Sequence, residues 1–272
     1  EAGFTHVSLV AAQAEPDPDF PTVPFPNPEE AGALDMAIEQ ARAEDADLII
    51  AVDPDADRCA LAVPDPAAEA GWRPLSGDQI GCLLGEFLAS RGIQGSLANS
   101  IVSSRLLARI AHAHGLVHHT TLTGFKWIAR APELAFGYEE AIGFCPNPAI
   151  ARDKVGIASS VVAASLFAAL KTEERTAWDE LDRLAYAHDL HVTGPLTFRV
   201  EEIEQIASGM ARLRAQPPSV LAGSPVVEVS DLSQGYRGLP PTDGVLVLTE
   251  AGDRVIARPS GTEPKLKCYL EV

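Results

Sequence analysis

Apolar and polar positions in the first 72 residues predict strands on either side of a helix. We expect a strand over residues 5–10, then a loop in which six prolines between residues 16 and 28 interrupt regular structure. Asn27 and Pro28 predict the cap and the first position of a helix. A continuous apolar run over residues 48–52 predicts a buried strand, and a short strand over residues 59–63 follows. This order is typical of a βαβ-like unit.

The pattern from residue 73 to residue 190 continues the alternation of helices and strands. Ser76 and Gln79 predict a capping box, and an apolar stripe follows them at helical spacing. Gly77, Gly81 and Gly85 recur every fourth residue, which predicts a stripe of small residues on this helix and not a dinucleotide-binding loop. Strands are expected over residues 100–103, 117–121 and 134–137, and helices over residues 105–114, 155–170 and 173–186.

The last part of the chain follows a different plan. Domain boundaries are predicted near residues 64–74 and 188–195, where prolines and polar residues interrupt the pattern. One helix over residues 201–216 then precedes a run of strands, which we expect over residues 225–229, 244–248, 254–258 and 266–272. The sequence thus predicts α/β segments followed by an α+β unit with a mostly antiparallel sheet.

Composition and charge narrow the classes of function. The 272 residues carry a net charge of −17, and the first 72 hold sixteen acidic residues against Arg42 and Arg58. An acidic chain without a basic stripe is not expected to bind nucleic acid. We expect no membrane span and no signal sequence, and four scattered cysteines predict reduced thiols in the cytoplasm. The chain begins as if within a helix–strand connection, so we expect it to be a fragment.

An acidic loop over residues 53–58, with the sequence DPDADR, is the strongest local signal. Asp53, Asp55 and Asp57 alternate directly after a buried strand, so their carboxylates can converge on a hard divalent cation. Arg58 and Pro64 occupy the positions where a calcium EF-hand needs glycine and glutamate, so Mg²⁺ is the better candidate. The alternative is a solvated acidic turn.

A second signal, RPSGTEPKLK, spans residues 258–267 between two apolar strands. An arginine fork, two hydroxyls and a glycine that admits close backbone approach are typical of a phosphate cradle. The segment does not match a Walker A loop. The alternative is a hairpin turn with surface charges.

Two further motifs are weak when each is taken alone. Residues 137–143 read GYEEAIG, and adjacent carboxylates between glycines can accept hydrogen bonds from sugar hydroxyls. Residues 123–127 read TGFKW, in which Lys126 lies among aromatic residues and can transfer a proton or bind an anion. Most pairs of adjacent glutamates, and most lysines beside aromatic residues, are ordinary surface residues.

The order of these four motifs is more specific than any one of them, and it resembles that of the α-D-phosphohexomutase superfamily of phosphoglucomutases and phosphomannomutases. The GYEEAIG form is similar to the branch with phosphopentomutase-like members. The resemblance covers essentially residues 1–272. It implies that residues 1–72 are the later part of domain 2, residues 73–190 are domain 3, and residues 191–272 are a TBP-like α+β domain 4.

The resemblance also implies roles for individual residues. Asp53, Asp55 and Asp57 would hold Mg²⁺, with Arg58 beside the transferring phosphate. The residues expected to contact a sugar phosphate are Thr123, Gly124, Lys126, Glu139, Arg258, Ser260, Gly261, Thr262 and Lys267. Among these, Lys126 would move a proton or bind phosphate, Glu139 would hold sugar hydroxyls, and residues 258–267 would grip the phosphate that does not react.

The family activity would interconvert hexose 1-phosphate and hexose 6-phosphate, of glucose or mannose, through an enzyme phosphoserine and a sugar bisphosphate. This chain departs from the family in three places. The serine loop and the first domain are missing, Ala141 replaces a serine that touches the sugar, and Val155 replaces an aspartate at an expected helix start. We therefore expect the chain to be inactive without its N-terminal domain. Phosphopentomutase activity, a non-catalytic sugar-phosphate binder and a magnesium phosphohydrolase remain alternatives.

Overall fold

The computed structural model of the protein describes residues 2–260 and 264–272. Within these residues, helices and strands form three sheets with helices packed on them. The helices are α1 (Asp35–Glu44), α2 (Gly77–Ser90), α3 (Leu106–Ala113), α4 (Phe125–Ile128), α5 (Gly156–Thr172), α6 (Ala177–His188) and α7 (Ile203–Ala215). The strands are β1 (Ile49–Val52), β2 (Cys59–Pro64), β3 (Trp72–Pro74), β4 (Ser96–Ser100), β5 (Val117–Thr121), β6 (Leu134–Glu139), β7 (Gly143–Cys145), β8 (Thr193–Arg199), β9 (Val220–Leu221), β10 (Ser224–Asp231), β11 (Val245–Thr249), β12 (Arg254–Pro259) and β13 (Lys265–Glu271).

The first sheet is antiparallel, with the order β1-β2-β3, and α1 packs on it through Leu34 and Ala41. The connection from β1 to β2 is the six-residue acidic loop, which is too short for the crossover that a parallel pair requires. β1 and β2 therefore form a hairpin.

Two expectations for this segment are wrong, and because one of them concerns the first strand, the expected βαβ-like unit does not form. Residues 5–10 form no strand, because no described strand pairs with them, and Val7 and Leu9 are exposed. The first helix begins at Asp35 and not at Asn27. A turn does form at Asn27, but Gly32 has a φ of +84°, which a right-handed helix cannot contain.

The middle sheet has the order β5-β4-β6-β7, in which β5, β4 and β6 are parallel and β7 is antiparallel. Helices α2, α3 and α5 bury their apolar sides with β6 in the largest hydrophobic core. Leu61 and Val63 of β2 belong to the same core, so packing is continuous across the predicted boundary at residues 64–74. The carboxyl ends of the three parallel strands place their following loops at one edge of the sheet, where α/β sheets bind ligands.

Helix α2 confirms the capping box and the glycine stripe. The Ser76 hydroxyl accepts a hydrogen bond from the Gln79 amide (3.2 Å), and the Gln79 side chain accepts one from the Ser76 amide (2.9 Å). A Cβ atom added at Gly81 would lie 2.5 Å from the ring of Tyr138, which is fully buried in β6. The stripe therefore allows α2 to lie directly against β6.

Helix α5 has an ordered start although Val155 offers no capping side chain. Its N-terminal amides find backbone partners instead: the Val155 amide donates to the Phe144 carbonyl and the Gly156 amide to the Ala56 carbonyl, both at 2.9 Å. The second of these bonds attaches the helix to the acidic loop.

The third sheet is antiparallel throughout, with the order β8-β13-β12-β11-β10-β9. Helix α7 covers one face through Ile206 and Met210. The opposite face contacts Ile101 and Val102 of the middle unit, so the C-terminal unit rests on the loop that follows β4. The expected fold class, α/β segments followed by an α+β unit, is confirmed.

Strand β8 lies partly within the residues that the sequence predicted as a boundary. Pro195 suggests a break, but β8 is an edge strand, where a proline whose nitrogen faces outward removes no ladder hydrogen bond. Val192 and Val272 donate backbone hydrogen bonds to each other, and every second residue of an antiparallel strand makes such bonds to its partner strand. Pro195 is three residues after Val192, so its nitrogen points away from β13. In the described residues, no helix has the length and apolar character to cross a membrane.

Candidate functional site

The acidic loop is held in shape by its own arginine. Asp53 is 5% exposed and accepts two hydrogen bonds from Arg58, one from the backbone amide (3.0 Å) and one from Nε (2.6 Å). Burial opposes the ionisation of Asp53, but these two bonds hold the pKa of its carboxyl below the usual range. The Ala56 amide closes the loop on the Asp53 carbonyl (2.9 Å), with Ala56 at a φ of +56°.

The three aspartates converge as the sequence predicts, and they fit a divalent cation. One carboxylate oxygen from each of Asp53, Asp55 and Asp57 lies within 4.8 Å of the others. Asp57 Oδ1 is buried and has no hydrogen-bond partner among the described residues, which leaves it available for a ligand. A set of carboxylate oxygens alone is the donor set of a hard cation.

Arg58 lies between the acidic loop and the turn at residues 27–29. Its Nη1 donates a long hydrogen bond to Asn27 Oδ1 (3.4 Å) and lies 3.9 Å from the Glu29 carboxylate. Burial raises the pKa of Glu29, and the nearby cations Arg58 and Lys267 oppose that rise. Sequence reasoning missed the contribution of this turn, because it assigned Asn27 to a helix cap.

The acidic loop also joins the GYEEAIG segment directly. The Cys59 amide donates to the Ile142 carbonyl at 3.0 Å, and Arg58 pairs with Gly143 in an isolated β-bridge. Gly156 is required where α5 meets the loop, because a Cβ atom there would lie 2.4 Å from the Arg58 carbonyl oxygen. Two motifs that are 80 residues apart in sequence thus form one surface.

Lys154 bridges the two motifs, and sequence reasoning missed it. Its ammonium group lies 3.1 Å from Asp57 Oδ2 and 3.6 Å from Glu139 Oε1. The signal that could have identified it is the ARDK segment at residues 151–154, whose two cations directly precede the expected helix at residues 155–170.

Glu139 lies at the end of β6 with a strongly perturbed carboxyl group. Burial raises the pKa of Glu139 to about 7; Lys154 opposes the rise, and the carboxylates Glu140 and Asp57 add to it. Such a carboxyl can hold a proton or accept hydrogen bonds from hydroxyl groups near neutral pH. Glu140 accepts hydrogen bonds from the Ser100 and Ser103 hydroxyls, both at 3.1 Å.

The RPSGTEPKLK segment, residues 258–267, places two cations on neighbouring strands. Arg258 of β12 and Lys267 of β13 are direct cross-strand partners, and the Ser260 amide donates to the Lys265 carbonyl at 2.9 Å. The predicted site residues Gly261 and Thr262 lie outside the described residues.

The TGFKW segment follows β5 and reaches the same edge of the middle sheet. Its residues Phe125 and Ile128 pack with Leu134 of β6 in a small core. Gly124 has a φ of +101° and precedes α4, while Lys126 is exposed and has no ion-pair partner among the described residues. The cation beside Asp57 and Glu139 is therefore Lys154, and the roles of Thr123, Gly124 and Lys126 remain predictions.

A cavity of about 470 Å³ opens between the three units, a volume suited to a small molecule. Its lining includes Glu29, Ser76, Glu140, Lys267 and Tyr269. Of the predicted site residues that the structure describes, Lys267 alone lines it. Glu29 connects the cavity to the acidic loop, because its carboxylate lies 3.9 Å from Arg58 Nη1, and the charge of Lys267 also acts on Glu29.

Comparisons with known proteins agree with this arrangement. Three models of the phosphoglucomutase/phosphomannomutase family match in succession: α/β/α domain II over residues 1–67, α/β/α domain III over residues 76–185 and the C-terminal domain over residues 196–272. The chain is 44% identical to the "Probable phosphomannomutase" of Haemophilus influenzae, with all of this chain and 55% of that protein aligned.

Two other relatives carry different names. Phosphoglucomutase of Staphylococcus epidermidis is 34% identical, with 99% of this chain and 53% of that protein aligned, and human phosphopentomutase is 32% identical, with 97% and 48% aligned. The chain thus spans about half the length of the curated relatives it matches.

Among solved structures, the pp63/parafusin phosphoglucomutase of Paramecium in its open form shares the fold. The TM-score is 0.66 at 18% sequence identity, with 91% of this chain and 45% of that chain covered. Taken with the three consecutive family models, these likenesses show that the chain belongs to the phosphoglucomutase/phosphomannomutase family of the α-D-phosphohexomutase superfamily.

Proposed function

We propose that this chain forms the metal-binding, sugar-binding and phosphate-binding part of a phosphosugar mutase that interconverts hexose 1-phosphate and hexose 6-phosphate, with glucose or mannose as the sugar. The observation that carries the proposal is the junction of the acidic loop with the GYEEAIG segment. Lys154 contacts both Asp57 and Glu139 there, and the cavity with Lys267 opens beside them.

The two ends of the site suit the two ends of a sugar bisphosphate. Arg258 and Lys267 supply positive charge for the phosphate that does not react, and Arg58 supplies it near the acidic loop for the phosphate that does. Glu139 accepts hydrogen bonds from sugar hydroxyls. Positioning and charge neutralisation are the main demands of phosphoryl transfer.

Mg²⁺ is the ion we assign to Asp53, Asp55 and Asp57. When bound, it supplies positive charge at the reacting phosphate. Asp53 has the additional task of holding Arg58, and Asp57 pairs with Lys154 through Oδ2, whereas Asp55 is exposed. Lys154 also keeps Asp57 close to the sugar-binding segment.

The nucleophile is assigned to an N-terminal domain of the same protein, which would complete the length of the curated relatives. Its phosphoserine donates a phosphoryl group to a sugar hydroxyl, and that hydroxyl loses its proton to a base at the site. The sugar bisphosphate turns over, and its other phosphoryl group returns to the serine. Each transfer forms one P–O bond and breaks another. A reducing compartment such as the cytoplasm suits the four free cysteines of the chain.

The binding part of the proposal is tested by calorimetric titration of the 272-residue chain with glucose 1,6-bisphosphate in the presence of Mg²⁺. Lys267→Gln should weaken binding at least about tenfold, because it removes a charge-assisted hydrogen bond. Lys171→Gln is the matched control, because Lys171 pairs with Asp47 on the exposed surface. Equal binding by both variants, or binding no tighter than that of inorganic phosphate, would refute the proposal.

Phosphopentomutase activity is the second candidate, and Ala141 favours it. A methyl group at this position in the GYEEAIG segment cannot donate the hydrogen bond that a serine gives to a hexose hydroxyl. The complete protein should be assayed on glucose 1-phosphate, mannose 1-phosphate and ribose 1-phosphate. A pentose preference above about tenfold in kcat/KM, the discrimination that a lost polar contact readily produces, would replace the hexose proposal.

A further inference from the structure

A buried carboxylate joins the C-terminal unit to the middle unit. Glu271 is 1% exposed, and its two oxygens face five groups from four residues: the Ser104 hydroxyl (2.9 Å), the Arg105 amide (2.7 Å) and Nε (2.6 Å), His191 Nδ1 (3.3 Å) and Arg254 Nη2 (3.0 Å). Burial would raise the pKa of Glu271, but His191, Arg254 and Arg105 together lower it to about 2. A carboxylate with this many partners holds a single orientation.

Arg254 attaches the same strands to the loop that follows β4, residues 101–105. Its Nη1 donates to the Ile101 carbonyl at 2.8 Å, and its Nη2 donates to the Ser103 carbonyl at 2.7 Å. Arg254 is 7% exposed, so these bonds are protected from water. The backbone of the 101–105 loop is therefore fixed by the C-terminal unit.

The other side of this loop contacts the GYEEAIG segment, residues 137–143, which is the proposed sugar-binding segment. The Ser100 and Ser103 hydroxyls both donate to Glu140 Oε2 at 3.1 Å, and the Ser104 amide donates to Asp78 Oδ1 at 2.7 Å. Ser103 thus accepts from Arg254 with its carbonyl and donates to Glu140 with its hydroxyl. Ser103 therefore links Arg254 of the C-terminal unit to Glu140.

The strands that carry Arg254 and Glu271 also carry the proposed phosphate grip. Three cross-strand pairs follow one another on the same face of β12 and β13, and they are Arg254 with Glu271, Ile256 with Tyr269, and Arg258 with Lys267. The first and last pairs are four residues apart, which is about 13 Å along a strand. Anchoring the first pair therefore fixes the position of the last.

We propose that Arg254 and Glu271 are positioning residues that align the phosphate-gripping pair Arg258–Lys267 with the sugar-binding segment at Glu140, acting through Ser103. The inference rests on the proposed function for its substrate. It goes further by naming the contacts that set the distance between the two ends of the substrate. Ser103 is the residue through which the anchoring by Arg254 reaches Glu140.

A double-mutant cycle tests the path. Glu271→Gln, Ser103→Ala and the double variant are titrated with glucose 1,6-bisphosphate. Glu271→Gln should weaken binding about tenfold and Ser103→Ala several-fold, and the double variant should bind no more weakly than Glu271→Gln, because both changes interrupt one path. Glu228→Gln is the control, since Glu228 pairs with exposed Arg237 in the same unit. If Glu271→Gln does not fold, Glu271→Asp keeps the charge and replaces it in the cycle.

Hydrogen exchange supplies a readout that does not depend on the substrate. In Glu271→Gln, amides of residues 103–105 and 139–143 should both exchange faster, while those of α6 stay unchanged. If the wild-type chain does not bind the bisphosphate, the proposed function fails and the exchange data alone decide the path. The inference would be overturned if the double variant lost affinity by the product of the two single losses. It would also be overturned if exchange became faster only in residues 103–105.

Discussion

At the scale of single residues, the three aspartates of the acidic loop have different tasks. Asp53 is buried against Arg58, whereas Asp55 is exposed and Asp57 faces Lys154. The sequence predicts their convergence, because alternate residues in an extended loop after a buried strand point the same way. It cannot predict the division of tasks, which depends on Lys154, a residue nearly 100 positions later.

This division predicts two different mutant behaviours. Asp55→Asn should reduce Mg²⁺ affinity at least about tenfold by removing a charged ligand, and it should leave the free energy of unfolding within about 0.5 kcal/mol. Asp53→Asn should lower both the Mg²⁺ affinity and the free energy of unfolding, because it also removes the partner of Arg58. Calorimetric titration with Mg²⁺ and urea unfolding measure the two quantities. Asp182→Asn, an exposed change on α6, is the control. Equal Mg²⁺ affinity in Asp55→Asn and wild type would contradict the assignment of Mg²⁺ to the acidic loop.

Asp78 predicts a pH dependence of stability. Burial raises its pKa from 3.8 to about 6, and its Oδ1 accepts hydrogen bonds from Tyr138 and the Ser104 amide. Because the folded pKa lies above the unfolded one, the burial penalty is absent below about pH 4, develops as pH rises, and is complete above about pH 6.

Asp78→Asn keeps both acceptor contacts without the charge. It should therefore be more stable than wild type at pH 8, by about 3 kcal/mol, and equally stable at pH 4. Urea unfolding at both pH values measures the difference. A gain that is the same at pH 4 and pH 8 would show that ionisation of Asp78 is not its cause.

At the scale of elements, the sequence predicts best where a local rule is sufficient. The capping box at Ser76 and Gln79 and the strand β5 are found where the pattern places them. Errors occur where tertiary context decides: residues 5–10 have apolar side chains but no described pairing partner, and β8 contains Pro195 but tolerates it at a sheet edge. The six-residue connection between β1 and β2 allows only an antiparallel pair, because a parallel pair needs a longer crossover.

The glycine stripe on α2 gives a test at this scale. Gly81→Ala should destabilise the protein by about 1–3 kcal/mol, because the added methyl group would meet the ring of fully buried Tyr138 at 2.5 Å. Gly209→Ala on α7 has no described neighbour within 4 Å of the new atom and should stabilise by about 0.5–1 kcal/mol. Thermal and urea unfolding give both values. If the two changes had the same sign, close packing of α2 on β6 would not explain the stripe.

At the scale of the whole molecule, charge is divided between the units. The net charge of −17 is concentrated in the first 72 residues, which hold the acidic loop, while β12 and β13 carry the cations Arg258 and Lys267 as a cross-strand pair. The sequence analysis predicts a site made of four motifs, and the roles of their residues stay predictions. It does not predict that Lys154, Glu29 and Ser103 connect them, because each of these contacts joins segments that are far apart in the chain.

The most direct test of the proposed mutase activity is ³¹P NMR of the complete protein incubated with glucose 1-phosphate, Mg²⁺ and a trace of glucose 1,6-bisphosphate. If the protein is a phosphosugar mutase, the signal of glucose 6-phosphate should grow as that of glucose 1-phosphate declines, and no signal of inorganic phosphate should appear. The rate should depend on the concentration of the bisphosphate. Release of inorganic phosphate as the main product, or no conversion by the complete protein, would contradict the proposed function.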